Sequence, residues 1–314
     1  MKNIKIIAPS GPLLERHKTT LNIAENILNK EGFNVLYGKN VEGAENASTT
    51  IEQRISDWND AWGDKEIELI MTYHGGVNSN QLLSNIDWNI VKDNPKPFLG
   101  ASDITVLCNA IFAKTGLISY LGVNFRWLCS PLLLPNTLES LSSALRQEIN
   151  YEVKVSDKYY GALFGEKKEA VDNTGLWTIN SRDFSGTAVG GNLPSFSLLF
   201  GTEFFPDLTD KVVFIEWDHY AIDDKGEFDR HLESLILQPN FNKIKALVIG
   251  RFDTDSNVSR EDLEKIIANK KALNSIPIVA NVDFGHTQPI SIIPIGGKIK
   301  YADNKFIFNY KFNF

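Results

Sequence analysis

Cysteine is nearly absent from this sequence: Cys108 and Cys129 are the only two in 314 residues. They stand in apolar surroundings and lack metal-ligand spacing, which argues against a disulfide framework or a thiolate metal site. Buried free thiols in a reducing, cytoplasmic setting are expected instead. An excess of positive charge is missing too. With 32 basic and 39 acidic residues and a formal charge of −7, the chain offers no field for a nucleic-acid polymer or an anionic membrane face. Long hydrophobic runs are also lacking. The opening MKNIKIIAPSGP is far short of a secretory signal's apolar core of roughly 7–15 residues, and no window approaches the ~18 apolar residues that span a bilayer. Where a dinucleotide or P-loop enzyme carries its glycine fingerprint after the first strand, APSGPLLER stands instead, which disfavours a nucleotide-dependent enzyme on a Rossmann-like sheet. There is no internal repeat and no low-complexity tract.

What is present describes an ordinary globular protein, 43% hydrophobic and 11% aromatic, long enough for about two domains of ~150 residues each. Up to residue 121, short apolar runs alternate with amphipathic stretches. Strands are predicted at 4–8, 34–37, 67–72, 97–100 and 118–121, with helices near 17–30, 51–62, 79–85 and 103–114. This is the pattern of a doubly wound, mainly parallel sheet of flavodoxin or Rossmann type, which holds ligands beyond the carboxyl ends of its strands. The expected organisation is an N-terminal α/β domain over 1–150, a linker or flap over 151–185, and a β-rich α+β domain over 186–314. A further helix is expected at 137–147; in the second half, strands are expected at 212–216 and 246–250 and helices near 227–238 and 259–271. Short β-like runs follow to the C-terminus.

Ser102 in PFLGASDITVL follows an apolar run and Gly100 and precedes an apolar series at helical spacing. It either caps the helix or is a nucleophile exposed by a strand-turn-helix, as in G-x-S-x-G enzymes, although Ile104 replaces the second glycine. Gly75 and Gly76 in MTYHGGVNSN lie at the same carboxyl rim. Glycine there either makes a tight turn or lets a backbone N–H approach a developing oxyanion.

A serine nucleophile needs a base, and the base needs an orienting partner. His17 and His231 read as surface or packing residues, which leaves His74 beside the glycine pair, His219 in EWDHY and His286 in NVDFGHTQP. The pattern does not separate these three. Glu216 ends an apolar strand, where a buried acid needs a partner such as an imidazolium; Asp218 competes for the same role.

Taken in order, HGGVNSNQLL, GASD, GGNLPSFSLLFGT, FIEWD, VIGRFD and DFGHTQPISIIPIGG resemble the LD-carboxypeptidase family of serine peptidases, most of all its microcin C immunity branch. The resemblance implies a Ser-Glu-His triad split between two domains, with Ser102 as nucleophile, Glu216 as orienting acid and His286 as base. It implies an oxyanion hole from the N–H groups of Gly76 and Asp103. His74, Gly75, Asn192 and Trp177 become candidates for substrate contact. Also implied are a metal-free, cofactor-free reaction, a cytoplasmic homodimer, and a small peptide or peptidyl-nucleotide substrate. The substrate would be a microcin-like conjugate or aminoacyl-adenylate analogue, or else a murein tetrapeptide that loses its terminal D-alanine. Ala101 departs from the family's usual tyrosine and removes a ring beside the serine. A catalytically silent binding protein on the same fold would have no need for all three of serine, glutamate and histidine.

Overall fold

Ile4, Ile6 and Ile7 of the first apolar run are enclosed on both faces, as a parallel sheet covered by helices requires. The computed structural model describes residues 1–43, 49–130, 133–161, 169–180, 182–218 and 222–312. Strands β1 (Lys2–Ile7), β2 (Phe33–Tyr37), β3 (Ile67–Thr72), β4 (Phe98–Gly100) and β5 (Ser119–Leu121) pair in parallel. Their spatial order, β2-β1-β3-β4-β5, is that of flavodoxin-like sheets. Helices α1 (Leu21–Lys30), α2 (Ile51–Gly63), α3 (Trp88–Asp93) and α4 (Thr105–Thr115) are the crossovers. Thr50 and Gln53 form a capping box that starts α2.

The expected helices were right in place and loose in form. Residues 15–20 make a 3₁₀ turn before α1, Ser79–Leu82 is a 3₁₀ turn only, and Ser102–Ile104 is another that leads into α4. After the first sheet come α5 (Phe125–Leu128) and α6 (Pro135–Leu145).

The 151–185 segment, expected as a linker or flap, carries β6 (Tyr151–Glu152), the paired β7 (Lys158–Tyr159) and β8 (Val171–Asp172), and β9 (Trp177–Asn180). β6 and β9 form the two edges of a second sheet of eight strands. Its parallel part consists of β10 (Phe184–Asn192), β11 (Lys211–Glu216), β12 (Ala246–Gly250) and β13 (Ile278–Val282). Helices α7 (Leu193–Ser197), α8 (Asp224–Ile236) and α9 (Arg260–Ala268) lie between these strands in the chain. The chain then makes β14 (Ile293–Ile295), β15 (Lys298–Ala302) and β16 (Lys305–Phe308). Of these, β14 leaves the second sheet and pairs antiparallel with β5 of the first. The fold is thus α/β, with a parallel-rich first sheet and a separate β-rich one.

The two sheets meet across α4, which explains why that helix is buried from Thr105 to Ile111 rather than amphipathic. Asn109 of α4 donates to Gly190 O at 2.8 Å and accepts from Gly190 N at 2.8 Å, so both polar atoms of a buried amide are used to hold β10 in register. This contact places the carboxyl ends of β4 and β11 on one cleft.

Candidate active site

The turn after β4 is tight because Gly100 has no side chain: a Cβ there would lie 2.4 Å from Ile104 Cγ2 and 2.6 Å from Thr72 Oγ1. Ala101 is extended and occupies the cap position without a side-chain bond. Ser102 follows at φ 61°. For a non-glycine residue such a conformation costs about 1–3 kcal/mol. Ser102 is therefore not the helix cap, and its hydroxyl is turned out of the helix start into the cleft. Gly75 packs beneath it, where an added Cβ would stand 2.7 Å from Ser102 Cβ.

Across the cleft, His286 Nε2 lies 3.1 Å from Ser102 Oγ and Nδ1 lies 3.0 Å from Glu216 Oε2. A carboxylate only accepts, so Nδ1–H donates to Glu216 and, in the neutral ring, the Nε2 lone pair faces the Ser102 hydroxyl. Glu216 is 3% exposed and His286 9%. The glutamate fits at the end of β11 because its neighbours are small: a Cβ on Gly250 or Gly285 would stand 2.8 or 2.9 Å from Glu216 Cβ. Trp127 packs edge-on against the imidazole at 5.3 Å between centroids and limits its rotation. Burial works against a charged ring, but the Glu216 charge and hydrogen bond, then Asp218 and Asp253, outweigh it and carry the pKa from 6.5 to about 9.

The rival assignments separate on this geometry. Asp218 lies on the opposite side of the ring, its Oδ2 3.5 Å from Nε2, so Glu216 is the acid on Nδ1. His74 is half-buried beside Gly75, its pKa lowered by burial and further by Arg126 and His286; the ring on Ser102 is that of His286. His17 bonds the Tyr73 hydroxyl at 2.9 Å, and His231 packs on Trp217. His219 lies outside the described residues.

Gly76 and Asp103 meet at Ser10, Asp103 through hydrogen bonds and Gly76 through close packing. Ser10, at the end of β1, donates to Asp103 Oδ2 at 2.6 Å, Ser79 N donates to the same oxygen at 2.8 Å, and Ser79 Oγ donates to Asp103 O at 2.9 Å. Gly76, at φ +149°, sits where a Cβ would meet Ser10 Oγ at 2.4 Å. Buried Arg54 completes the unit, donating to Pro9 O at 3.0 Å and Asn78 Oδ1 at 3.1 Å. Sequence reasoning missed Ser10, Ser79 and Arg54. The available signal was Asp103 itself, since an acid at a helix start in an apolar context needs donors.

Asn192 faces Glu216 in register across β10 and β11, but its carbonyl oxygen caps α7, accepting from Ser195 N at 3.2 Å and Ser195 Oγ at 2.8 Å. Trp177 begins edge strand β9. Its Nε1 donates to Thr174 at 2.9 Å, and with Tyr159, Arg251 and Asp253 it lines a cavity of about 480 Å³. Arg251, one of the residues missed, is buried there, ion-paired with Asp283 and covered by the Tyr159 ring at 4.5 Å.

Residues 4–122 match the LD-carboxypeptidase N-terminal domain and residues 185–301 the LD-carboxypeptidase C-terminal domain. The chain belongs to the LD-carboxypeptidase family. It is 38% identical to the Bacillus subtilis (strain 168) protein YocD, which bears a carboxypeptidase's name, over 94% of this chain and 91% of that one. It is 28% identical to the microcin C7 self-immunity protein MccF of Escherichia coli over 96% of this chain and 91% of MccF. Among solved structures, an MccF-like protein of Bacillus anthracis superposes with a TM-score of 0.91 at 34% identity, covering 98% of this chain and 95% of that chain. MccF in complex with aspartyl sulfamoyl adenosine superposes at 0.85 with 28% identity, over 98% and 95% of the two chains. Membership makes this chain a member of a peptidase family, and no helix among the described residues is long and apolar enough to cross a membrane.

Proposed function

We propose that the protein is a serine hydrolase that cleaves an aminoacyl or peptidyl group from a nucleotide-like partner by way of an acyl-enzyme on Ser102. The observation that carries this reading is the continuous relay from Ser102 Oγ through His286 Nε2 and Nδ1 to Glu216, with links of 3.1 and 3.0 Å. In the first step Ser102 Oγ bonds to the substrate carbonyl carbon while its proton passes to Nε2. Glu216 stabilises the imidazolium. The carbonyl oxygen takes up negative charge, which the N–H groups of Gly76 and Asp103 receive; a single such donor is worth roughly 3–4 kcal/mol. His286 then returns the proton to the leaving nitrogen as the C–N bond breaks. Water repeats the sequence on the ester, gives its proton to His286, and frees the acid and Ser102.

The nucleotide side of the proposal is supported by MccF's complex with aspartyl sulfamoyl adenosine and by the cavity beside Asp253 that the Tyr159 and Trp177 rings line, since aromatic rings can stack on a base. The test is to incubate the pure protein with an aminoacyl sulfamoyl adenosine and with a murein tetrapeptide and to measure free sulfamoyl nucleoside and free D-alanine. Release of nucleoside alone supports the proposal. Release of D-alanine alone replaces it with an L,D-carboxypeptidase on the same triad. Ser102→Ala is expected to lower turnover by about 10⁴–10⁶-fold with the thermal transition retained, and a variant that kept a tenth of the activity would refute the mechanism.

A further inference from the structure

A second carboxylate stands beside the relay. Asp218, two residues past Glu216, brings Oδ2 to 3.5 Å from the same His286 nitrogen that faces Ser102 at 3.1 Å. Its carboxylate therefore lies within two hydrogen-bond lengths of the nucleophilic oxygen. Its side chain is 25% exposed, against 4% for Glu216. Among the described residues, Glu216, Asp253 and His74 also act on His286. Glu216 is engaged by Nδ1. Asp253 is enclosed and caps the turn at Thr254–Ser256, accepting from Asp255 N at 2.9 Å. His74 stands on the first sheet's side.

A carboxylate at that position is an obstacle to the chemistry when no substrate is bound. It favours the protonated ring, which cannot take the serine proton, and it offers Nε2–H an alternative acceptor. A positive charge brought next to Asp218 removes both effects. An acyl group with an amino substituent on the carbon beside its carbonyl supplies such a charge: with the carbonyl carbon on Ser102, the ammonium is one bond beyond the α-carbon and within reach of Oδ2.

We propose that Asp218 is a specificity-determining residue that selects substrates with a free α-ammonium group on the acyl side of the scissile bond. The inference rests on the hydrolase reading above and extends it: the substrate is an unblocked aminoacyl derivative, and its own charge relieves the hold on the base. A charge-assisted pair of this kind favours the ammonium form by about 10- to 100-fold.

The experiment compares an L-aminoacyl sulfamoyl adenosine with its Nα-acetyl derivative. For the wild-type protein, kcat/KM is expected to be at least about tenfold higher for the free amine. In Asp218→Asn this preference should fall to near parity, and Asp218→Glu should restore part of it. Equal loss on both compounds would overturn the inference, because it would mean that Asp218 acts only through His286 or the fold; no preference in the wild type would also overturn it. Calorimetric binding of both compounds to Ser102→Ala reads the same selectivity without turnover. Tighter binding of the amine that Asp218→Asn abolishes supports the proposal even if hydrolysis is slow. Binding of neither compound, with Ser102 inert to a fluorophosphonate, would instead defeat the hydrolase reading and this inference with it.

Discussion

Replacing Glu216 with glutamine keeps the shape of the relay and removes its charge. The carboxylate is 3% exposed and 3.0 Å from Nδ1, so solvent screens it little. It is the first of the influences that lift His286, against burial, from 6.5 to about 9, which at 1.36 kcal/mol per unit is a preference of about 3 kcal/mol for the imidazolium. The folded-state value lies above the unfolded one. This stabilisation is therefore complete below pH 6.5 and is lost as pH rises toward about 9. The free base that accepts the serine proton is scarce over the same window, so kcat/KM should climb by about tenfold per pH unit and level off above about 9. In Glu216→Gln, burial dominates and the midpoint should fall by more than one unit. An amide can also donate to Nδ1 and fix the wrong tautomer, so the plateau should drop on the order of 10⁴-fold. The assay is kcat/KM against pH from 5.5 to 10, paired with denaturant unfolding at pH 6 and 9, at about those intervals. An unchanged midpoint, or an unchanged stability difference between the two pH values, would refute the assignment of Glu216 as the partner of His286.

Two further substitutions probe how Ser102 and Asp103 are held. Gly75→Ala would place a Cβ 2.7 Å from Ser102 Cβ; overpacking of about 1–3 kcal/mol and a loss of turnover much larger than the loss of melting temperature are expected, and normal kinetics would contradict the packing argument. Ser10→Ala removes a 2.6 Å donor from buried Asp103; unfolding should become about 1–3 kcal/mol easier and kcat should fall more than KM rises, whereas a change confined to KM would place this unit in substrate binding instead.

The first sheet was legible because its strands are short runs rich in apolar residues and crossovers such as α1 carry one apolar face, with Ala24 and Leu28 on it. β10 was not read as a strand, since FSGTAVGGN has little of the β-branched character that marks one. The departure of β14 to the first sheet was also hidden, because Ile293 pairs with Leu121 far away in the chain and no local pattern encodes a partner at that separation. Ser102 could be placed at the strand-to-helix turn, but its positive φ depends on packing against Gly75 and Gly100. Among the histidines, spacing left His74, His219 and His286 open and the family motifs pointed to His286. The 3.1 Å approach of residues 102 and 286 is a tertiary fact, between side chains 184 residues apart in the chain. Asp218 was visible as a rival to Glu216; only the fold shows that it serves the other ring nitrogen.

The account depends on Ser102 being a nucleophile activated by His286. The most direct measurement is mass spectrometry of the protein after reaction with a fluorophosphonate, with peptide mapping of the adduct and His286→Ala as comparison. The account predicts a single adduct on Ser102 that forms at least about 10²-fold more slowly without the imidazole. An unmodified Ser102 in folded protein, or labelling at the same rate in both proteins, would contradict it.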